Sequence, residues 1–242
     1  MKLLQGFYSD VGNFRKVNQD SILCKKIEKK KNAFAVVAVC DGIGGLEQGE
    51  VASKIICDCI DETYGEIIDW ISLDTADMEV IVSHMKDAVE EANQKLYDYR
   101  ILHGIQMGTT MSLLIMLRDA YYVIQVGDSR VYLLRDGFLK QLTVDATVSN
   151  VVDGKMKSYL SNYMGKEAEV WYTVSEGSIQ SNDLFVVCCD GFYHRLQTED
   201  LLFDRKLFSS PEKANEKCAE LVRIMMARGD KDNITVGMVY AK

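Results

Sequence analysis

Five aspartates in this sequence of 242 residues stand at the ends of short apolar runs. They are Asp20, Asp41, Asp128, Asp190 and Asp232. Short apolar runs predict β-strands, and in an antiparallel sheet the end of one strand lies beside the start of its neighbour. We therefore expect the five carboxylates to gather at one rim of a sheet. Carboxylates held close together repel one another unless cations compensate, and ligation by oxygen alone favours magnesium or manganese over zinc.

Each aspartate taken alone has a simpler explanation, because Asp-Gly after a strand is ordinary turn chemistry. The glycine-rich loop over residues 41–45 does not settle the matter by itself. It lacks the Gly-Lys-Ser/Thr ending of a phosphate-binding P-loop and does not fit the dinucleotide fingerprint, so nucleotide binding is unsupported. Its glycines would let a backbone carbonyl approach a metal. Five such positions, each joined to an apolar run, favour a metal site over five unrelated turns.

The elements that must position these aspartates are visible as apolar patterns. Strands are predicted over residues 33–40, 110–117, 121–126, 130–135, 184–189 and 234–240. Residues 118–120 are too few for a crossover helix, and Asp136-Gly137 is a hairpin signal, so neighbouring strands should run antiparallel.

Helices are predicted from apolar residues at helical spacing over residues 51–71 and 78–99. A third helix should begin with Ser210 as its N-cap and Pro211 at its first position, and end at Gly229. The order of strands and helices predicts an α+β fold of antiparallel sheets covered by helices.

Length and composition narrow the class of protein. With 48% hydrophobic residues, the chain can bury one large core, so we predict a single domain over residues 1–242. A net charge of −8 argues against a nucleic-acid partner. The sequence has no signal-peptide pattern and no run of about 18 apolar residues, so we expect a soluble, cytoplasmic protein without a membrane partner. Four cysteines lie in strand-like runs and should be reduced, buried thiols: Cys24, Cys40, Cys188 and Cys189.

Two segments carry little pattern. Residues 143–183 show the weakest periodicity, and we interpret them as a loop-rich excursion. The run Lys29-Lys30-Lys31 is interpreted as a solvated hairpin tip rather than a binding patch.

Six ordered sequence blocks resemble the type-2C metal-dependent serine/threonine protein phosphatases, in their compact bacterial form. The blocks are SDVGNFRKVNQDS, VAVCDGIGGLEQGEVAS, GTT at 108–110, VGDSRVYLLRDGFLKQLT, LFVVCCDG and GDKDNITV. The resemblance implies an antiparallel β-sandwich flanked by pairs of antiparallel helices, with a variable flap-like segment within 143–183. It also implies hydrolysis of phosphoserine and phosphothreonine on proteins by water that two Mn²⁺ or Mg²⁺ ions activate. The protein would then oppose a serine/threonine kinase, and we expect it to be a monomer.

The resemblance assigns roles to individual residues. Asp41 resembles the carboxylate that bridges two catalytic metals, and the carbonyl of Gly42 resembles a ligand of one of them. Asp190 and Asp232 match the ligands of the other metal. Asp20 resembles an acid that positions the attacking water.

Further assignments concern the substrate and the surroundings of the metals. Arg15 occupies the place of an arginine that clamps the substrate phosphate, although from sequence alone it would be read as a surface residue. Asn233 resembles a residue that lies beside the metal ligands without binding a metal itself. Gln19 stands where many relatives have glutamate, which removes one negative charge near a metal. Ile43 replaces a histidine that is a candidate general acid in many eukaryotic members.

A weaker third metal is also implied, with Asp128 as a ligand. Ala146 replaces a frequent histidine and His194 replaces a common acid near that site, so this chain departs from the family there. His194 could itself be a new ligand or an ordinary, partly buried histidine.

Three other functions stay open at this point. The chain could be a catalytically silent member of the family that binds or senses a ligand, although Asp41, Asp190 and Asp232 are all retained. It could also act on a small phosphorylated metabolite, since no residue pattern selects a protein substrate. A plain calcium-binding protein is disfavoured because the sequence lacks EF-hand spacing.

Overall fold

The computed structural model describes residues 2–29, 32–43, 46–72, 77–152 and 155–242. Lys30 and Lys31 of the predicted lysine tip lie outside the described residues, as do Gly44 and Gly45 of the glycine-rich loop. No helix in the described part of the chain is both long and apolar enough to cross a membrane.

Two five-stranded sheets form the centre of the molecule, and all their strand pairs are antiparallel. The first sheet has the order β1 (Leu3–Asp10), β12 (Ile234–Ala241), β11 (Leu184–Cys188), β6 (Arg130–Arg135) and β7 (Phe138–Gln141). The second has the order β10 (Thr173–Ser178), β5 (Ala120–Val126), β4 (Met111–Leu117), β3 (Asn32–Asp41) and β2 (Asp20–Lys29). A separate two-stranded ribbon consists of β8 (Thr147–Val152) and β9 (Lys155–Leu160).

Helices cover the outer faces of both sheets. The elements are α1 (Gly49–Ser72), α2 (Met78–His103), α3 (Asp190–Tyr193) and α4 (Pro211–Ala227), with short 3₁₀ turns at Thr198–Leu201 and Arg205–Phe208. The α1 and α2 helices pack against each other and against the second sheet, while α4 packs on β1 of the first sheet. The predicted caps of α4 are present, because the Ser210 hydroxyl accepts from the amide of Lys213 and Gly229 has a φ of +83°.

Strand β3 shows why the central strands are apolar throughout. Ala35, Val37 and Val39 point into the core between the two sheets, whereas Val36 and Cys40 pack toward α1 and α2. A strand that is buried on both faces reads as a continuous apolar run rather than an alternating one. The predictions of antiparallel sheets and of an α+β fold are confirmed.

The prediction of a loop-rich excursion over residues 143–183 is wrong. This segment contains β8, β9 and β10, and β10 pairs with β5 at the edge of the second sheet. The sequence of β10, TVSEGS, is polar because most of that edge strand is exposed. It therefore lacks the apolar alternation on which strand prediction depends.

Candidate active site

The five aspartates lie at one end of the two sheets. Asp20 and Asp41 are directly paired in register between β2 and β3, while Asp190 follows β11 and Asp232 precedes its neighbour β12. Asp128 follows β5. Four of them line an open pocket of about 600 Å³: Asp41, Asp128, Asp190 and Asp232. The expectation that strand ends bring these carboxylates to one rim agrees with this arrangement; their roles toward metals stay predictions.

Asp20 lies behind the pocket and is 8% exposed. Its Oδ2 accepts a hydrogen bond of 2.6 Å from the Thr235 hydroxyl, which also lies 2.7 Å from the Ser9 hydroxyl. Its Oδ1 is buried and has no hydrogen-bond partner among the described residues. Burial raises the pKa of Asp20 to about 7; the hydrogen bond from Thr235 opposes that rise, and repulsion from Asp190 adds to it.

Asp41 is held at the end of β3 by Thr110. The Asp41 amide donates to the Thr110 hydroxyl at 3.0 Å, and the Thr110 amide donates to the Asp41 carbonyl at 2.9 Å. The Asp41 side chain reaches the pocket, and the residue is partly buried. Burial, and then repulsion from Asp20 and the other aspartates, raise its pKa well above the usual range.

Asp190 begins α3, where the chain turns sharply out of β11. Gly191 is required at this turn because a Cβ atom there would lie 2.2 Å from the Asn233 carbonyl oxygen. Burial and repulsion from Asp232 raise the pKa of Asp190. Its Oδ1 is also buried without a hydrogen-bond partner in the described part of the chain.

Arg15 contacts a predicted metal ligand. Its Nε and Nη2 donate to the two carboxylate oxygens of Asp232 at 2.9 and 2.7 Å. This hydrogen bonding raises the pKa of Arg15, although burial opposes the rise. The side chains of Arg15 and Asp232 are 41% and 34% exposed, so the pair lies at the mouth of the pocket. Sequence reasoning placed both residues near the site but did not foresee that they pair.

Asn233 joins the segment that carries Arg15 to the start of β12. Its Nδ2 donates to the carbonyls of Val11 and Val17, both at 3.0 Å, and its Oδ1 accepts from the Gln19 amide at 2.9 Å. The Gln19 carbonyl in turn accepts from the Gly42 amide at 3.1 Å. Asn233 and Gln19 therefore fix the backbone around the aspartates rather than lining the pocket.

Gly42 lies where no other residue fits. A Cβ atom at this position would lie 2.4 Å from the Gly49 carbonyl oxygen and 2.6 Å from that of Gln19. The glycine is thus explained by the close approach of two backbone segments. A role for its carbonyl as a metal ligand stays a prediction.

Asp128 and His194 both line the pocket, and the exposure of His194 differs from the expectation. Burial, followed by repulsion from Asp190, raises the pKa of Asp128 to about 6. His194 lines the pocket and is exposed, so the expectation of an ordinary, partly buried histidine is wrong, and its role as a new ligand stays a prediction. The reason is local: His194 follows the last residue of α3 as its C-cap, and it lies at the open pocket.

Sequence reasoning missed the wall built around Arg130. This side chain forms a two-pronged ion pair with Asp145, donates to the Tyr132 hydroxyl at 2.9 Å, and lies 3.7 Å from the centre of the Tyr193 ring. Arg130 lies two positions from Tyr132 and 15 from Asp145, so the arginine that follows Gly127-Asp128-Ser129 was a local signal, whereas Tyr193 comes from a distant part of the chain. Cys189 was also missed: its sulfur and one oxygen each of Asp20 and Asp41 all lie within 4.8 Å of one another.

The raised carboxylate pKa values predict how stability depends on pH. With cations removed by chelator, the free energy of unfolding should increase as pH falls from about 8 to about 5.5. The folded state then binds protons that the unfolded state does not, because the pKa of Asp20 is about 7 when folded and 3.8 ordinarily. Denaturant unfolding at several pH values measures this slope. Asp20→Asn should flatten it, and a parent protein that loses stability over this range would contradict the electrostatic assignment.

The comparisons with known proteins agree on one family. A family model described as protein phosphatase 2C matches residues 15–228. The chain belongs to this family. The predictions of family and fold are confirmed. Among protein phosphatase 2C relatives, a putative protein phosphatase 2C-type of Streptococcus pyogenes is 24% identical, and the match covers 96% of this chain and 95% of the relative. A serine/threonine phosphatase stp of Listeria welshimeri is 28% identical, with 96% and 94% covered.

Solved structures show the same fold. The serine/threonine phosphatase of S. agalactiae superposes with a TM-score of 0.79 at 23% identity and covers 100% of both chains. The catalytic domain of the serine/threonine protein phosphatase PstP, solved in complex with 2 manganese ions, superposes with a TM-score of 0.75 at 23% identity, covering 99% of both chains.

Proposed function

We propose that this protein hydrolyses phosphoserine and phosphothreonine on proteins, with two Mn²⁺ or Mg²⁺ ions held at the rim where the five aspartates meet. The observation that carries the proposal is the collection of carboxylates in one pocket, with pKa values raised by burial and by mutual repulsion. Membership of the protein phosphatase 2C family supports it. So do the manganese ions named for the PstP structure, which shares the fold.

The residues at the rim fit divalent cations. Buried oxygens of Asp20 and Asp190 have no hydrogen-bond partner among the described residues, and such atoms are costly unless they are compensated. Asp41 would bind both ions, the Gly42 carbonyl would bind one, and Asp190 and Asp232 would bind the other. Asp128 would belong to a weaker third site. The ligands are oxygens, which suits magnesium and manganese.

Bound divalent cations would supply Lewis acidity that activates water and offsets charge on the phosphoryl group. The chain's own residues provide the remaining functions. Thr235 and the strand pairing fix Asp20 so that it can orient the attacking water. Arg15 lies at the mouth of the pocket, where its guanidinium donates two hydrogen bonds to Asp232. The same two donors could instead bind two oxygens of the substrate phosphate. Ile43 lines the pocket and has no proton to give, so the leaving group would take its proton from water or from another group.

We also propose that the protein opposes a serine/threonine kinase in the cytoplasm. A phosphoprotein substrate requires a serine/threonine kinase, since the ester bond must be made before it is hydrolysed. The seven cysteines are all free thiols, which suits a reducing cytoplasm. We also propose that residues 1–242 form one catalytic domain, with a flap-like segment within 143–183, and that the protein is a monomer.

Hydrolysis of a phosphothreonine peptide by the purified protein tests the proposed function. Turnover should require added Mn²⁺ or Mg²⁺ and disappear with excess chelator, because the carboxylates alone repel a phosphate dianion. Covalent reagents directed at serine or cysteine should not inhibit turnover by reacting at the catalytic centre. Sustained hydrolysis in chelator would overturn the cation dependence, and absence of hydrolysis with saturating cations would favour a catalytically silent family member.

A further inference from the structure

The β8–β9 ribbon forms part of the pocket wall without belonging to either large sheet. Its strands pair in the register Thr147 with Leu160, Ser149 with Ser158, and Val151 with Met156. Residues directly opposite each other in an antiparallel pair point to the same side, and side chains alternate along each strand. These three pairs therefore share one face of the ribbon.

This face begins at the catalytic pocket. Thr147, Ser158 and Leu160 are three of the four ribbon residues that line the pocket, and all three belong to the face just defined. The fourth, Tyr159, comes from the opposite side of the ribbon, where it is paired with Val148. The face continues from the pocket along the same two strands, β8 and β9, toward the other end of the ribbon.

The outer end of the same face is apolar and uncovered. Val151 and Met156 are 70% and 73% exposed, although they lie directly opposite each other. Because the two side chains are cross-strand neighbours, they form one continuous apolar surface rather than two isolated contacts. The pair is four residues from Thr147 along β8, which is about 13 Å at the usual rise of a strand. The small Ser149–Ser158 pair between them leaves room for an extended chain.

We infer that this face is a docking track for the peptide that flanks the phosphorylated residue, and that Val151 and Met156 select substrates with an aliphatic side chain several residues from the phosphate. The inference rests on the proposed phosphatase function. The occupant follows from continuity: a chain whose phosphoryl group reaches the aspartates must leave the pocket, and one wall of that pocket leads directly to the apolar pair. The aliphatic side chain would be partly buried between Val151 and Met156.

The test uses phosphothreonine peptides with a serine-rich background and one leucine, placed at each position out to about seven residues on either side. For the parent enzyme with manganese, leucine at one short stretch of positions should raise kcat/KM about threefold to tenfold, as expected for partial burial of one aliphatic side chain. The double variant Val151→Ser, Met156→Ser should lose this preference while hydrolysing a small aryl phosphate at the parent rate.

Val148→Ser provides the matched control, because it removes an exposed valine from the same strand but from the opposite face. It should keep the leucine preference. Equal kcat/KM for all peptides in the parent, or an equal loss in Val148→Ser, would overturn the docking track. Concentration-dependent dimerisation that the double variant abolishes would assign the face to a second copy of the chain and would also overturn it. Failure of the parent to hydrolyse both the peptides and the aryl phosphate would instead defeat the proposed function itself.

Discussion

Asp190→Asn should lower kcat/KM for a phosphothreonine peptide by about a hundredfold or more, with the protein still folded. Asparagine keeps the shape of the side chain and suits the turn out of β11, but it removes one negative charge from the proposed cation site. The Asp190 Oδ1 atom is buried without a hydrogen-bond partner in the described part of the chain, so its charge contributes little to the fold itself. Peptide hydrolysis at saturating Mn²⁺ measures the loss.

Stability measurements separate a metal ligand from a structural turn residue. In chelator, Asp190→Asn should be at least as stable as the parent, because one source of repulsion with Asp232 is gone. Saturating Mn²⁺ should raise the Tm of the parent by mass action, and at a hundred times the Kd the added stability is about 2.7 kcal/mol. The Tm of the variant should rise much less. Unfolding in chelator and in Mn²⁺ gives both quantities.

Asp136→Asn is the matched control for this experiment. Asp136, like Asp190, is followed by glycine, but it lies in the β6–β7 hairpin with a φ of +51° and does not line the pocket. Asparagine tolerates that conformation well, so this variant should keep both its turnover and its metal-induced Tm shift. If Asp190→Asn behaved like the control in both measurements, the assignment of Asp190 and the two-cation mechanism would fail.

The sequence was informative where burial is complete. Strand β3 is an unbroken apolar run because both of its faces are buried, and the aspartate at its end marks the point where the sheet stops. The positions of Asp41 and Asp190 follow from such runs. Strands β8 and β10 were missed because they lie at the surface and their side chains carry no apolar alternation.

Contacts between distant segments were beyond reach of pattern analysis. Arg15 and Asp232 are separated by 217 positions, and nothing in either local sequence indicates the other. The hydrogen bond from Thr235 to Asp20 depends in the same way on two strands from different sheets. A single sequence shows which residues can carry charge or donate a proton, but the partner of each is decided by how the sheets pack.

Arg15→Ala is expected to lower kcat/KM for a phosphothreonine peptide by about tenfold to a few hundredfold, mainly through KM. The reason is the loss of a charged, two-pronged donor at the mouth of the pocket. The pairing with Asp232 adds a second expected result: the cation dependence should shift to lower Mn²⁺ concentrations, because a guanidinium no longer competes for both oxygens of that carboxylate. Peptide kinetics and a Mn²⁺ titration of Tm measure the two effects independently.

Arg15→Lys distinguishes charge from geometry. Lysine keeps the positive charge but cannot donate two parallel hydrogen bonds. It should therefore move the Mn²⁺ midpoint part of the way back to the parent value while KM stays raised. If charge alone mattered, lysine would restore both KM and the Mn²⁺ midpoint to parent values. If Arg15→Ala changed neither quantity, the ion pair with Asp232 would be a surface contact without a role in binding phosphate or cations. A raised KM with an unchanged Mn²⁺ midpoint would keep the phosphate role of Arg15 and reject its competition with cations for Asp232.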